Sequence, residues 1–277
     1  MQKLKKILQR PKAFKRLTGL EREKFLKLAE QVEERFETAR VKRLNSKKRQ
    51  RKIGGGQKSK LTATEALFLL LIYYRTYAQL LFLGTFFNID ESTAWRYVQR
   101  IEPLLPGIFR IPERRIKMSE EEVMELIIDA TEQETQKRPG SSWSGKKNRT
   151  TIKTQIVVSS NGKVKAISKS IKGSVHDKKL YDQSKIYTDK EVKRKADLAY
   201  IGTSCQTPIK KQPGKGLTLK QKDCNQEFNR KRCGVERTIG HLKNYLILAN
   251  KFRGSLNHYN LVFKNIAGLY NLQTHSV

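Results

Sequence analysis

The chain has 277 residues, 37% of them hydrophobic, which is enough to bury a core and excludes a wholly disordered protein. Its 58 Lys and Arg outnumber its 26 Asp and Glu, so the formal net charge is +32 and the pI is near 10.2. A surface of this charge repels itself unless a polyanion neutralises it, which favours a nucleic-acid partner and leaves DNA, RNA and a merely basic ribosomal protein open.

The first 60 residues are strongly basic and are predicted to form a helical arm followed by a linker. Apolar residues at helical spacing predict an amphipathic helix over residues 18–38, with Thr18 and Glu21 as its capping box. Residues 41–60 combine many Lys and Arg with three consecutive glycines, which is typical of a flexible connector. This connector either lies along a phosphate backbone or in a minor groove, or is a solvated linker.

Residues 61–118 are predicted to form a second, all-helical unit. Thr62 and Glu65 make another capping box, which begins a helix that continues through the apolar run Leu67–Tyr74. This run is too short to span a bilayer and is therefore expected to be a buried helix. A short amphipathic stretch over residues 76–83 follows it.

The next predicted helix, Thr93–Ile101, has Asp90 or Ser92 as its cap. It is expected to bury Trp95, Val98 and Ile101 and to expose Arg96, Tyr97, Gln99 and Arg100. A helix, a short turn and a polar-faced helix are the layout of a helix-turn-helix, whose second helix enters the major groove of DNA. Any packing of three helices has a similar pattern, so the pattern alone leaves both interpretations open.

Residues 119–277 are predicted to form a mixed α/β domain. Its predicted elements are, in order, a strand Glu125–Asp129, a strand over 150–158, a hairpin turn at Asn161–Gly162, a strand Val164–Ile171, a helix over 177–184, a strand Val192–Leu198 and a helix Leu217–Asn250. Asp129 and Asp197 come at or near the ends of two of these strands, and Glu236 lies within the last helix. In open sheets, active sites form beyond the strand ends.

Three carboxylates brought into one pocket could hold two hard cations about 4 Å apart, an arrangement that suits phosphodiester chemistry. One cation would activate a water or a 3′-hydroxyl as nucleophile, and the other would stabilise the leaving oxygen. Taken singly, a carboxylate at a strand end is more often a turn residue or a helix cap than a metal ligand. The residues alone therefore indicate this chemistry without deciding it.

The three cysteines, Cys205, Cys224 and Cys233, are odd in number and have no CxxC spacing. This argues against a disulfide framework and is typical of a reducing cytoplasm. Zinc binding by Cys224, Cys233 and His241 is a minor alternative, because the spacing matches no common site. The N-terminal lysines precede no apolar core, so no signal peptide is expected.

Six segments within residues 127–277 resemble, in the same order, the catalytic domain of the DDE superfamily of transposases, in the bacterial insertion-sequence branch related to Harbinger nucleases. They are Ile128–Glu132, Trp143–Lys147, Thr151–Gln155, Gly173–Lys178, Ala196–Gly202 and the set Asn229, Arg232, Glu236 and Lys243. Residues 60–113 resemble the helix-turn-helix that precedes this domain in that group. The resemblance implies an RNase H-like fold with Asp129, Asp197 and Glu236 as catalytic residues and as ligands of Mg²⁺ or Mn²⁺.

The last of these segments falls on the family pattern Tyr-x2-Arg-x3-Glu-x6-Lys. By this resemblance Arg232 contacts a DNA phosphate or orients Glu236, and Lys243 grips a phosphate near the cut. A plain surface pair between Arg232 and Glu236 is the alternative. The chain departs from the family at three positions, where Asn229, Ala199 and Ile201 replace the usual Tyr, Gly and Gln. Each departure could lower activity.

Further candidate residues surround these acids. Asp177 is a candidate alternate ligand, or a partner that orients a ligand; otherwise it caps the helix that follows it, which is the favoured role. His176 could assist proton transfer, although a structural hydrogen bond is the favoured role. DNA contacts are expected from Arg96, Gln99, Arg100, Lys146, Lys147, Arg232 and Lys243.

The resemblance implies a cytoplasmic, nucleoid-associated bacterial transposase that binds the terminal inverted repeats of its element, hydrolyses the 3′ strand ends and joins them to target DNA. Cutting two ends in concert requires at least two subunits, so a homodimer on DNA is expected, with no membrane partner. Two alternatives remain. One is a non-catalytic, domesticated helix-turn-helix DNA-binding protein, and the other is a basic RNA-binding protein, which would need no ordered set of acids.

Overall fold

The computed structural model of the protein describes residues 2–45, 59–116, 125–137, 143–145, 147–186 and 192–275. The chain divides into two units, of which the first contains residues up to Arg110 together with Tyr245–Ile247, and the second contains Ile111–Asn244 and Leu248–His275. Of the predicted connector, residues 46–58 lie outside the described part, as does the predicted domain boundary at residues 118–119. No described helix combines the length and the apolarity that crossing a bilayer requires.

The first unit is helical. Up to Arg110 it contains α1 (Gln2–Leu8), α2 (Pro11–Thr18), α3 (Arg22–Asn45), α4 (Ala63–Thr76), α5 (Leu80–Phe87), α6 (Glu91–Ile101), a 3-10 turn (Glu102–Leu104) and α7 (Leu105–Phe109). Three aromatic residues join α2, α3 and α4, because the ring of Phe14 lies 5.0 Å from that of Phe25 and 5.7 Å from that of Phe68. All three rings are fully buried, so they form the centre of this core.

The two predicted capping boxes have different outcomes. The box of Thr62 and Glu65 is confirmed at the start of α4. The box of Thr18 and Glu21 is wrong, because Thr18 is the last residue of α2 and its hydroxyl donates to the carbonyl oxygen of Phe14 at 2.8 Å. Gly19 then ends α2 with a φ of 80°, and α3 begins only at Arg22.

The buried face of α6 differs from the predicted one. Its buried residues are Ala94, Tyr97, Val98 and Ile101, whereas Trp95 is half-buried. Tyr97 is inside because its hydroxyl accepts a hydrogen bond from the backbone N–H of Leu61 at 2.9 Å. The same hydroxyl lies 2.7 Å from that of Ser59. Tyr97 thus holds the segment before α4 and is not part of the exposed polar face.

Beyond Arg110 the described chain forms a mixed sheet with helices. It contains β1 (Glu125–Glu134), β2 (Trp143–Ser144), β3 (Arg149–Ser159), β4 (Val164–Ile167), β5 (Ile171–Lys172), α8 (Asp177–Ser184), β6 (Lys193–Lys195), a 3-10 turn (Leu198–Tyr200), α9 (Leu219–Lys243), α10 (Leu246–Ala249) and α11 (Leu256–Thr274). The strand order is β2-β3-β1-β6, and β4 and β5 also pair with β3. Neighbouring strands are antiparallel except β1 and β6, which are parallel. The prediction of an RNase H-like α/β domain after a helical region is confirmed.

Three predicted strands are correct in position and wrong in extent. The first continues past Asp129 to Glu134, because its ladder with β3 runs on to the pair Glu134–Thr151. The predicted strand Val164–Ile171 is two strands, since the backbone N–H of Ser170 leaves the ladder and donates to Oδ1 of Asn260 at 2.6 Å. The predicted strand Val192–Leu198 is reduced to β6.

The C-terminal helices were only partly predicted. The predicted helix Leu217–Asn250 is two helices, α9 and α10. The third, α11, was not predicted. It packs on the sheet by a two-way hydrogen bond in which the side-chain amide of Asn271 accepts from the N–H of Val164 at 2.9 Å and donates to its carbonyl oxygen at 2.8 Å.

Candidate active site

Asp129 and Asp197 occupy equivalent positions just beyond the parallel pairing of β1 with β6. The last residue pair of the parallel strands β1 and β6 is Ile127 with Lys195, and each aspartate lies two residues further along its own strand direction. Paired strands lie about 4.8 Å apart. The two carboxylates therefore arise from adjacent points where β6 ends and β1 continues.

Each of these aspartates uses one carboxylate oxygen on its own backbone. Oδ1 of Asp129 accepts from the N–H of Ala130 at 2.7 Å. Oδ1 of Asp197 accepts from the N–H of Ala199 at 2.9 Å and thereby caps the 3-10 turn. These local hydrogen bonds orient both side chains where the pairing of β1 with β6 ends.

The long helix α9 places Arg232 and Glu236 beside Asp129. It begins at a capping box of Thr218 and Gln221 and buries Val235, Thr238 and Leu242. The guanidinium of Arg232 lies 3.8 Å from Oδ2 of Asp129 and 3.9 Å from Oε1 of Glu236. These separations are charge contacts and are too long for strong hydrogen bonds. The side chain of Arg232 is only 11% exposed, whereas that of Glu236 is 62% exposed.

The electrostatics of Asp129 reflect this crowding. Burial raises its pKa from 3.8 to about 6. The hydrogen bond from Ala130 and the charge of Arg232 lower the pKa, while the negative charges of Asp197 and Glu236 raise it further. Asp197 and Glu236 therefore both lie close enough to act on the charge of Asp129.

The arrangement fits a hard divalent cation by its chemistry. Within the described ranges, no three side chains of His, Cys, Asp or Glu already form a group that could hold a metal ion. The charge of Arg232 compensates the shielded carboxylate of Asp129 only in part, and oxygen ligands are the ones that Mg²⁺ and Mn²⁺ prefer. Rotation of the exposed Glu236 toward Asp129 and Asp197 would complete the donor set.

The described residues give no support to zinc binding by Cys224, Cys233 and His241. Cys224 and Cys233 are exposed free thiols, and Cys205 is a half-buried one. In the part of the chain that the structure describes, they form no three-ligand group with His241.

Lys243 and Lys147 form a basic pair near these acids. Partial desolvation and the positive charge of Lys147 lower the pKa of Lys243, and the negative charge of Asp129 opposes this effect. Lys243 is the last residue of α9, and Lys147 is exposed in the turn between β2 and β3. Lys146, which was predicted to contact DNA with Lys147, lies outside the described residues.

Asp177 has a different partner from the one expected. Its carboxylate lies 2.8 Å from Nζ of Lys153, which also lies 3.0 Å from Glu132 and donates to the carbonyl oxygen of Val175 at 2.8 Å. Lys153 pairs with Glu132 across β3 and β1. We did not predict this buried ion triad. A lysine at position 153, within a strand that is otherwise buried, is the sequence signal that could have indicated it.

The triad lies on the other face of the sheet from Asp129. Side chains alternate between faces along a strand, so Asp129 and Glu132 project to opposite sides of β1. Asp129 faces α9, and Glu132 faces the Lys153–Asp177 pair at the start of α8. The alternative that Asp177 caps α8 is wrong.

The cap of α8 is His176. Its Nδ1 accepts from the N–H of Lys178 at 3.4 Å, which is the structural hydrogen bond that the sequence favoured. Asp177, as the first helical residue, is therefore left to pair with Lys153.

The predicted DNA-contacting residues of the first unit all lie on α6. Arg96 and Gln99 are exposed, and Arg100 is half-buried with its guanidinium 5.8 Å from the centre of the Tyr97 ring. Burial lowers the pKa of Arg100, as do the charges of Arg43 and Arg96. The outer face of α6 is therefore strongly positive.

Comparison with known proteins identifies the family. A family model described as DDE superfamily endonuclease matches residues 128–271, and one described as helix-turn-helix of DDE superfamily endonuclease matches residues 59–107. The chain is 30% identical over 273 residues to a protein of Microchaete diplosiphon named as a probable transposase for insertion sequence element IS702, with 94% of each chain covered. No solved structure matches significantly. The first model spans more than half of the chain, which therefore belongs to the DDE superfamily of endonucleases and carries the helix-turn-helix of that superfamily.

Proposed function

We propose that this protein is the transposase of an insertion sequence, and that Asp129, Asp197 and Glu236 are its catalytic residues and the ligands of two divalent cations. The observation that carries this proposal is the equal offset of Asp129 and Asp197 beyond the last parallel pair of β1 and β6, with Arg232 of α9 between Asp129 and Glu236. Family membership and the name of the Microchaete relative support it.

In this mechanism the side chains of the protein would bind the cations and the DNA phosphate, orient the carboxylates and neutralise part of their charge. Asp129 and Asp197 hold their positions through hydrogen bonds from nearby backbone N–H groups, and Glu236 would join them from α9. The cations, when bound, would activate a water or a 3′-hydroxyl and stabilise the leaving oxygen. Arg232 partly neutralises Asp129 and Glu236 from a buried position, which orients the glutamate. Lys243 and Lys147 would hold the phosphate of the strand that is cut.

Recognition of DNA is assigned to a separate part of the chain. We infer that residues 1–60 form a basic helical arm and linker, whose helices α2 and α3 share a core with α4. Residues 61–118 would form the helix-turn-helix domain and 119–277 the catalytic domain. Arg96, Gln99 and Arg100 on α6 would read the major groove of the terminal inverted repeats. Binding should weaken steeply with salt because the net charge of +32 implies many phosphate contacts.

The strand-transfer step determines how many subunits are expected on the DNA. Both ends of the element must be cut and joined to the target together, so two subunits on DNA are required. We therefore propose a homodimer on the paired ends. Analytical ultracentrifugation with and without repeat-ended DNA measures this directly.

A cleavage assay tests the catalytic proposal. Full-length protein and its Asp197→Asn variant are incubated with Mg²⁺ and a supercoiled plasmid that carries a pair of the element's ends. We expect nicking by the wild type and its loss in Asp197→Asn, while the control Asp182→Asn, an exposed acid on α8, stays active. Equal nicking by wild type and Asp197→Asn would favour the non-catalytic DNA-binding alternative.

A further inference from the structure

A stretch of chain without acidic residues lies between Asp197 and Glu236. Residues 198–222 contain no Asp or Glu. All the lysines of this stretch are exposed, namely Lys210, Lys211, Lys215, Lys220 and Lys222. Within the described part of the chain no carboxylate pairs with any of them, whereas Lys231, further along α9, is paired with Glu227 at 3.0 Å. We call residues 207–222 the lysine segment; the proposed mechanism does not use its charges.

The lysine segment is held in a defined position by backbone hydrogen bonds. Just before it, the N–H of Gln206 donates to the carbonyl oxygen of Arg194 at 2.7 Å, and its carbonyl oxygen accepts from the N–H of Ala196 at 2.9 Å. The side-chain amide of Asn225 on α9 then accepts from the N–H of Ile209 at 2.7 Å and donates to its carbonyl oxygen at 3.0 Å. The segment therefore leaves the edge of the sheet beside β6 and is fastened to the first half of α9.

The tip of the lysine segment is a tight turn that projects into open space. The N–H of Lys215 donates to the carbonyl oxygen of Gln212 at 3.2 Å, and Gly214 has a φ of 74°. Pro213 followed by Gly214 in these positions is typical of a type II turn. Among the described residues, no heavy atom lies within 4 Å of the place that a Cβ would take at Gly214 or Gly216. The lysines around this turn are therefore accessible to a large partner.

The helix α9 fixes how far the lysine segment lies from the candidate acids. Asn225, which fastens the segment, precedes Glu236 by 11 residues on this helix. At 1.5 Å per residue this separation is about 16 Å. Successive phosphates of one DNA strand are about 3.4 Å apart along the axis of the duplex. A duplex that follows α9 from the acids would therefore meet the lysine segment about five base pairs away.

The chemistry of the lysine segment fits the phosphate backbone of DNA. Unpaired ammonium groups on one exposed segment favour a polyanion. A lysine contacts a phosphate as a point charge, and contacts with phosphates position a duplex without reading its sequence. The terminal repeats of an element must be read, whereas the DNA that receives the element need only be held. The lysine segment therefore fits the second kind of DNA.

We propose that the lysine segment binds the phosphate backbone of target DNA and holds it beside the acids during strand transfer. The inference rests on the proposed function, since it takes Asp129, Asp197 and Glu236 as the catalytic site. It adds to that function a surface for the second DNA substrate, separate from the helix α6 that would read the element's ends.

The experiment uses full-length protein that has first been saturated with duplexes carrying the pre-cut ends of the element. A short fluorescent duplex of unrelated sequence is then titrated in, and its anisotropy is measured at several salt concentrations. The test variant combines Lys210→Gln, Lys211→Gln and Lys215→Gln. The matched control combines Lys169→Gln, Lys172→Gln and Lys179→Gln, which remove the same charge from exposed positions of the same unit. Joining of the pre-cut ends to a target plasmid in Mg²⁺ is measured in parallel.

We expect the test variant to bind the unrelated duplex at least about tenfold more weakly than the wild type at low salt. Loss of three phosphate contacts should also make the slope of log affinity against log salt concentration shallower by about 3. The target concentration that half-saturates joining should rise in parallel, while hydrolysis at uncut ends should stay near the wild-type rate. The control variant should follow the wild type in each measurement.

Two results would overturn the proposal. One is equal affinity and equal salt dependence in the test and control variants. The other is a loss of affinity for the element's own ends, titrated separately, as large as the loss for the unrelated duplex, because that would indicate general attraction by charge. If the wild type neither cuts nor joins ends but the test variant still loses the unrelated duplex, the proposed function fails and the DNA-binding role of the lysine segment stands.

Discussion

The guanidinium of Arg232 lies 3.8 Å from the carboxylate of Asp129, and the arginine side chain is almost completely buried there. At this distance the positive charge offsets part of the cost of burying Asp129 without forming a strong hydrogen bond. The pKa of Asp129 nevertheless stays near 6, because burial outweighs this attraction and the other two acids add repulsion. The ionised carboxylate of Asp129 therefore destabilises the folded protein.

Replacement of Asp129 by Asn should stabilise the metal-free protein while abolishing activity. An acid with a raised pKa keeps its proton longer in the folded chain than in the unfolded chain, so its contribution to stability falls as the pH rises from about 4 to about 6. The two pKa values differ by about 2, which corresponds to at most about 3 kcal/mol above pH 6. Urea unfolding at pH 4.5 and 7.5, in chelator, measures the difference.

Whether Asp129→Asn gains or loses stability distinguishes two roles for Asp129. The gain of Asp129→Asn over the wild type should be largest at pH 7.5 and should shrink toward pH 4, whereas the exposed control Asp182→Asn should follow the wild type at both values. A loss of stability at pH 7.5 would mean that Asp129 serves the fold and is not strained by its burial.

Divalent cations should stabilise the wild type above pH 6. A ligand present at 100 times its Kd stabilises the folded state by about 2.7 kcal/mol. Mg²⁺ or Mn²⁺ should raise the unfolding midpoint of the wild type, and much less so that of Asp129→Asn or Asp197→Asn. Differential scanning calorimetry with and without chelator checks this. A similar rise in all three proteins would place the cation elsewhere.

The ion triad under α8 should be essential for folding and not for metal binding. Lys153→Met leaves Glu132 and Asp177 buried without their cation, a change that typically costs about 3–5 kcal/mol. Chemical denaturation measures the loss. Removal of the charge at Glu132 and Asp177 in the same chain, as Gln and Asn, should restore most of it.

A matched surface pair provides the contrast. Arg149 contacts Glu134 at 2.8 Å but is 65% exposed, so Arg149→Met should cost no more than about 1 kcal/mol. If Lys153→Met costs as little stability as Arg149→Met, the buried ion triad is not essential for folding. Retention of Mn²⁺ affinity in the repaired triple variant would confirm that Asp177 is not a ligand.

Recognition of the element ends should depend on the exposed face of α6. Loss of an arginine that contacts a base typically costs about 1–3 kcal/mol, so Arg96→Ala should lower the affinity for repeat-ended DNA roughly 10- to 100-fold. Lys27→Ala on α3 removes the same charge from the same unit and should change affinity far less. Fluorescence anisotropy with repeat-ended and scrambled duplexes separates the two. Equal effects of both variants on both duplexes would indicate charge alone.

Local signals were interpreted correctly where neighbouring residues alone decide the structure. The capping box of Thr62 and Glu65 is such a case, because both of its hydrogen bonds lie within one helical turn. The identical spacing of Thr18 and Glu21 failed, since Gly19 ends α2 between them. Tyr97 was wrongly predicted to be exposed. Its hydroxyl is hydrogen-bonded to Leu61 and Ser59, and the spacing of residues along a helix cannot reveal contacts with such distant residues.

The amino-acid sequence by itself determined the charge of the protein, its α/β class, its family and the identity of the three candidate acids. These properties depend on composition, short-range patterning and ordered motifs. Only the tertiary structure decided that Asp129 lies within a strand beside Asp197, that Arg232 is buried against it, and that Asp177 belongs to Lys153 on the opposite face. Those relationships depend on the register of β1 with β6 and β3 and on the packing of α9. They join residues that are far apart in the chain. The register that brings such residues together is fixed because one face of every strand must be buried in the core.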